Sequence, residues 1–235
     1  MDETTIYLNS YRPICYTKFG INAIKNYNIL PFIDGSCRRE PDFENIYPSI
    51  TALCRGKNFA PKLEIGNIIV YMTVGGKLNE YKKGHHLVAI LIVEEIFNNH
   101  EAAKEAYSSM DIDIPSNCMF ETKPIEFKRT SGNFKTNKEY KSYNLLSDEQ
   151  KIKREENRIN YWDKEYKKRE SNNSCFIKTK SLYLELNNPK VIERKLFEQV
   201  FGEIPNTQIP ENIKKDQLIH LLNSLNIDFL YYGLL

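Results

Sequence analysis

The sequence predicts an α+β fold, a β-rich middle with helices inserted into it and added after it. Two observations carry this. The strand-like and helix-like runs read β–α–β–β–α–β with short connections, not as alternating βαβ units. The run "HHLVAILIVEEIF" (85–97) is almost continuously apolar, as in a strand buried on both faces or closed into a barrel.

The elements follow in order. "TTIYLNSY" (4–11) alternates and is β-branched and aromatic, so it is the first strand. "GINAIKNY" (20–27) reads as a short helix. "YPSITALCRG" (47–56) fits either a turn or two of helix or a strand. A strand spans Ile68–Val74 and stops at Gly75-Gly76, and the buried run at 85–97 follows. "NNHEAAKEAYSSM" (98–110) opens on an Asn cap and continues with good helix formers. "PSNCMFETKPIEFKR" resumes in extended form to about residue 129.

Residues 130–144 are polar and rich in Gly and Asn, a loop or lid. A long solvated helix follows, with Ser147 and Gln150 as a capping box and acid–base pairs at helical spacing. "CFIKTKSLYLEL" (175–186) alternates as a strand. "NPKVIERKLFEQVFG" (188–202) and "KKDQLIHLLNSLN" (214–226) read as amphipathic helices. The expected organisation is a core at 1–130, a loop and charged helix at 131–174, and a late strand with two helices packing on the core at 175–235.

Composition excludes little but is useful. The chain is 41% hydrophobic and 27% charged, enough to bury a core, and 33 basic residues nearly cancel 31 acidic ones. Its five cysteines are scattered, never in C-x-x-C spacing, and no apolar signal segment opens the chain, so the expectation is free thiols in a cytoplasmic protein. No apolar run is long enough to span a membrane. The phosphate-binding, dinucleotide-binding, nucleophile-elbow and H-E-x-x-H motifs are all missing. No cofactor is implied. A zinc site from Cys37, Cys54, His85 and His86 has suitable residue types at unsuitable spacings.

The densest polar stretch is "GSCRREPDFE" (35–44). It is either a solvated turn or a rigid loop whose carboxylates Glu40, Asp42 and Glu44 brace Arg38 and Arg39 as fixed donors for phosphate or a base edge. "ALCRGKNFAP" (52–61) adds Arg55 and Lys57 beside Phe59, an interleaving of cations and rings that suits a nucleotide groove as well as an ordinary strand-to-loop transition. His85 and His86 open the buried strand, one ring facing the core and one a cleft. Tyr140, Tyr143, Tyr161 and Tyr166 either line a pocket or pack the long helix onto the body.

Taken in order, "GSCRREPDFE", "ALCRGKNFAP", "IGNIIVYMT" and "HLVAILIV" resemble the PUA-like superfamily, which includes the ASCH, EVE and YTH domains, and most of all the nucleotide modification associated domains of phage and bacterial DNA-modification systems. Asn67 stands where that superfamily usually has Asp. The resemblance implies a small PUA-like β-barrel with inserted helices and a helical C-terminal extension. It also implies a cleft for a nucleotide or nucleic acid, often with a modified base. Carried over, Arg38 and Arg39 face phosphate. Tyr71, Phe59 or Trp162 stack, and Thr73, His85 and His86 read the base edge, with Cys37, Glu40, Asp42, Arg55 and Lys57 in the same wall. Two further readings stand beside this binding module. One is a hydrolase acting on a modified nucleoside through Lys62, Glu64 and Thr73. The other is an interaction factor using the C-terminal helices as a protein-binding surface.

Overall fold

A computed structural model describes residues 4–76, 80–132, 134, 137–203 and 209–228. Its centre is a seven-stranded mixed sheet: β1 (Ile6–Tyr11), β2 (Ser49–Thr51), β3 (Ile68–Thr73), β4 (His85–Phe97), β5 (Phe176–Leu184), β6 (Lys190–Ile192) and β7 (Glu211–Ile213). The order is β2-β5-β4-β3-β1-β7, with β6 against the N-terminal end of β4. Only β1 and β3 run parallel; every other pairing is antiparallel. The edge strands β2 and β7 do not pair with each other, so the sheet is open. The α+β class holds, and the expected closed barrel is not what the strands form.

β4 is apolar throughout because both of its faces are covered. Along β3, Ile68, Val70 and Met72 face one side and Ile69 and Tyr71 the other, as the two-residue period requires. The first side packs on the helices α5 (Arg194–Phe201) and α6 (Lys215–Ser224) through Phe197, Val200, Leu218, Leu221 and Leu222. The second side packs on the loops between β1 and β3 through Ile14, Phe32, Phe43 and Phe59. A bulge lies between Tyr71 and Met72, where β4 moves from Ala89 to Leu87 and Val88 is the extra residue. Val88 and Ala89 therefore both fall on the loop-side core. At about 1.5–3 kcal/mol for each fully buried large aliphatic side chain, these two layers supply most of the driving force for folding.

Helix α1 (Lys18–Tyr27) starts where the Thr17 hydroxyl oxygen accepts from Gly20 N (2.9 Å), and the same hydroxyl donates to Ser131 O (3.1 Å). It stops at Asn28, which takes the left-handed conformation at φ 50°. A Cβ on Gly20 would lie 1.8 Å from Ile14 O, a backbone atom that cannot move aside alone. Gly20→Ala is expected to lower stability by at least about 1–3 kcal/mol in urea denaturation, despite alanine's better helix propensity.

α2 (His100–Ser109) is capped by Asn99, whose side chain accepts from Ala102 N (2.8 Å), as expected. The long α4 (Asp148–Asn172) carries the expected Ser147–Gln150 capping box. Of the two readings of residues 47–56, the strand is realised, over Ser49–Thr51. Three local expectations change. Residues 115–129, expected in extended form, join no strand of the sheet and include turns at 116–117 and one 3-10 turn at Phe127–Arg129. The polar stretch 130–144 contains a helix, α3 (Asn137–Asn144). The amphipathic run at 188–202 divides into β6 and the shorter α5, ended by Gly202 at φ 82°. Asn67 does keep its turn: its amide oxygen accepts from Glu64 N (2.9 Å), a bond that needs no carboxylate.

Candidate functional site

The decade 35–44 folds around Asp34 and its own arginines. Asp34 Oδ1 accepts from Ser36 N (2.8 Å), Ser36 Oγ (2.5 Å) and Glu40 N (3.1 Å), which closes the loop on itself. Arg39, left-handed at φ 42°, reaches back to donate to Asp34 O (2.9 Å) and Ser36 O (3.0 Å), forward to Glu44 Oε2 (3.0 Å), and across to Arg129 O (2.8 Å). Arg38 points the other way. It pairs with Asp163 Oδ1 on α4 through Nε (2.9 Å) and Nη2 (2.6 Å), and also donates to Thr122 Oγ1 (2.7 Å) and to the carbonyls of Ser116, Cys118 and Thr122 (3.4 Å each).

Both guanidiniums are thus spent inside the protein, at 0% and 2% exposure. The expectation that Arg38 and Arg39 face a ligand phosphate fails here, because both are buried, all five N–H groups of Arg38 and four of the five of Arg39 are given to protein oxygen, and neither lines the cleft described below. The bracing also differs from expectation. Only Glu44 holds an arginine of the loop; Glu40 holds Thr51 and Asn117, and Asp42 holds Ser116 and the amide of Glu44. Cys37 is buried against Leu53 and Tyr166.

What the loop does is wall a cleft of about 590 Å3 at the C-terminal ends of the parallel pair β1 and β3. Asn9, Ser10, Tyr11 and Arg12 line it from β1 and the residue after it, Tyr71 and Val74 from β3 and the residue after it, Asp34, Glu40 and Pro41 from the loop, and Thr51, Cys54, Arg55, Asn58 and Phe59 from the end of β2 and the segment after it. Asn9 is opposite Tyr71 in the β1–β3 register, and Pro13 bridges to Asp34, so strand pairing itself gathers these groups. Of the expected site residues, Glu40, Arg55, Phe59 and Tyr71 meet here. Tyr11, Tyr71 and Phe43 pack edge to face at 5.3–6.1 Å, and Phe59 meets Tyr7 in the same way at 5.9 Å.

Two carboxyls in this cleft are perturbed. Burial pushes Glu40 up to about 8, against the bonds it accepts from Thr51 N (2.9 Å), Thr51 Oγ1 (2.6 Å) and Asn117 Nδ2 (3.1 Å). Burial also raises Asp34, opposed by its Ser36 bonds and by Arg39. Tyr71 is raised by burial and by the neighbouring Glu40. Two cations line the same cleft. Arg55 donates to Ser10 O (2.6 Å), and Arg12 is exposed with its guanidinium 5.5 Å from the centre of the Tyr16 ring.

The remaining expected residues lie elsewhere. Thr73, His85 and His86 form a separate buried group: Thr73 Oγ1 accepts from His86 N (3.0 Å), and His85 Nδ1 lies 2.9 Å from Thr73 O. His85 packs on Phe197 and His86 on Phe32, on opposite faces of the sheet. Burial lowers both histidines, His86 to about 4, which favours the neutral ring, and neither lines the cleft. Lys57 is exposed outside the cleft lining, Lys62 and Glu64 are exposed, and Thr73 is buried, so the lysine–threonine–carboxylate set is not brought together in the cleft. Trp162 lies on α4 beside a second hollow of about 370 Å3, together with Phe127, Phe134 and Tyr161. Tyr143 and Tyr166 are buried where they pack α3 and α4 down. Among the described residues no three His, Cys, Asp or Glu converge as metal ligands, and no helix is long and apolar enough to cross a membrane.

Sequence reasoning missed Asn9, Tyr11, Arg12 and Asp34. Asn9 and Ser10 are polar residues at the end of an otherwise apolar strand, a signal in plain view, and Arg12 follows directly. Asp34 stands one residue before the decade on which attention fell. Comparison with protein-family models, with curated proteins and with solved structures returns no match for this chain.

Proposed function

We propose that the cleft at the ends of β1 and β3 binds a nucleotide, free or within a nucleic acid strand, in line with the sequence's resemblance to PUA-like and nucleotide modification associated domains. The observation that carries this reading is the meeting of two guanidinium side chains, Arg12 and Arg55, with buried carboxyls and aromatic walls in one cleft of about 590 Å3. Guanidiniums suit phosphate, and aromatic rings with fixed hydrogen-bonding groups suit a base. The cationic partner is not the Arg38–Arg39 pair. Those arginines build the wall, and the residues after β1 and β2 supply the charge that meets the ligand.

The test is thermal stabilisation by a panel of nucleoside monophosphates, plain and base-modified, followed by titration. A ligand at about 100 times its dissociation constant stabilises by about 2.7 kcal/mol, readily seen as a rise in Tm. Arg12→Ala is the decisive variant, because this exposed side chain holds no ion pair among the described residues. It should weaken binding about tenfold or more with unchanged stability. No stabilisation by any nucleotide, or full binding by Arg12→Ala, would count against the reading.

A further inference from the structure

The hydrogen-bonding groups around the cleft are unevenly committed. The Tyr11 hydroxyl donates to Phe32 O, and the Thr51 hydroxyl donates to Glu40 Oε2 (2.6 Å). The thiol of the exposed Cys54 donates to Glu40 O (3.7 Å). These neutral donors are already given to protein acceptors. Glu40 has a protein donor on each oxygen. Asp34 is the exception. All three of its donors converge on Oδ1, and Oδ2 accepts from no donor among the described residues, although the residue is only 8% exposed and lines the cleft. That oxygen is not sealed from solvent but opens to the cleft, where it is the carboxyl oxygen left for a ligand.

We propose that Asp34 sets specificity in this cleft, its Oδ2 accepting an N–H from a nucleobase with a donor edge, such as the amide and amino groups of guanine. This rests on the nucleotide reading and says which part of the nucleotide is read. The loop supports it mechanically. Asp34 cannot turn away, because releasing Oδ1 would strand Ser36 N, Ser36 Oγ and Glu40 N together. The free oxygen is therefore held in place before any ligand arrives, which is how a binding site avoids an ordering cost. A base without N–H donors would leave that oxygen buried and unpaired, and a site built to be hydrogen-bonded rejects such an analogue strongly.

The experiment compares guanosine 5′-monophosphate with purine riboside 5′-monophosphate, which keeps the ring and the phosphate and lacks both N–H donors of the base. Calorimetric titration of the wild type should give at least about tenfold tighter binding for the guanine nucleotide, about the strength of one net hydrogen bond. Asp34→Asn is the matched variant. Its oxygen must stay with the three loop donors, so its NH2 group takes the place of Oδ2 and turns an acceptor into a donor. The variant should keep a cooperative urea transition and lose the tenfold preference or reverse it. A wild type that binds both nucleotides equally, or an Asp34→Asn protein that keeps the preference, overturns the assignment to Asp34 while leaving nucleotide binding intact. If no nucleotide of the panel, these two included, binds the wild type, the nucleotide reading itself falls, and the assignment with it.

Discussion

Arg38→Ala is expected to lower the stability of this protein by about 3–5 kcal/mol, the range found when one partner of a buried ion pair is removed. The loss has three parts. Asp163, only 13% exposed, loses both N–H donors on Oδ1 and is left with Lys167 at Oδ2 (3.2 Å). The Thr122 hydroxyl and the carbonyls of Ser116, Cys118 and Thr122 lose a donor. The space of a fully buried arginine is left to collapse. Arg38→Lys should recover little, since one ammonium cannot span a carboxylate and that set of carbonyls in the planar geometry of a guanidinium. Urea midpoints for Arg38→Ala, Asp163→Asn and the double variant measure the coupling. A cost below about 1 kcal/mol for Arg38→Ala, or additive effects in the double variant, would mean that the pair does not tie the loop to α4.

Glu40 should make stability fall as pH rises. Its folded value of about 8 lies above the ordinary carboxyl value of 4.5. Between those values the folded protein keeps a proton that the unfolded chain has released. The contribution is therefore complete below about pH 4.5 and lost as pH climbs through about 8. With about 1.4 kcal/mol for each unit of difference, the full effect is of order 5 kcal/mol. Glu40→Gln keeps the shape of the side chain and has nothing to titrate. Unfolding free energies measured from pH 5 to pH 9 should decline several kcal/mol more in the wild type than in Glu40→Gln. Parallel curves for the two proteins would show that Glu40 does not hold a proton that the unfolded chain gives up.

Local physics made much of the fold readable. The run 85–97 is long, apolar and free of breakers, and it is β4 to the residue. The Asn99 cap and the Ser147–Gln150 box act within one turn, so a single stretch of sequence contains both partners. Closure of the sheet was misjudged because a strand buried on both faces looks alike whether another strand or a pair of helices covers it. Here α5 and α6 do so.

The candidate site was only half readable, for the opposite reason. Arg38 next to Glu40 and Asp42 looks like a neutralised turn, yet its carboxylate partner is 125 residues away on α4. No rule of spacing points to Asp163. The two histidines attracted attention through their chemistry, while their burial beside Phe197 and Phe32 removes it. Asp34 and Arg12 come together only through the bridge between Pro13 and Asp34, a long-range pairing that periodicity does not reveal.

The strand order has a consequence for how the chain is made. β4 is thirteen residues long and lies in the sheet between β3 and β5. β3 is made before it, but β5 follows only after α2, α3 and all of α4. A ribosome therefore releases β4 with one long apolar edge unpaired, and that edge stays open until Phe176–Leu184 emerges. Bare edges of this kind recruit other strands. Fragments ending before β5 should accumulate in inclusion bodies, and the nascent chain should depend on chaperones through the synthesis of α4.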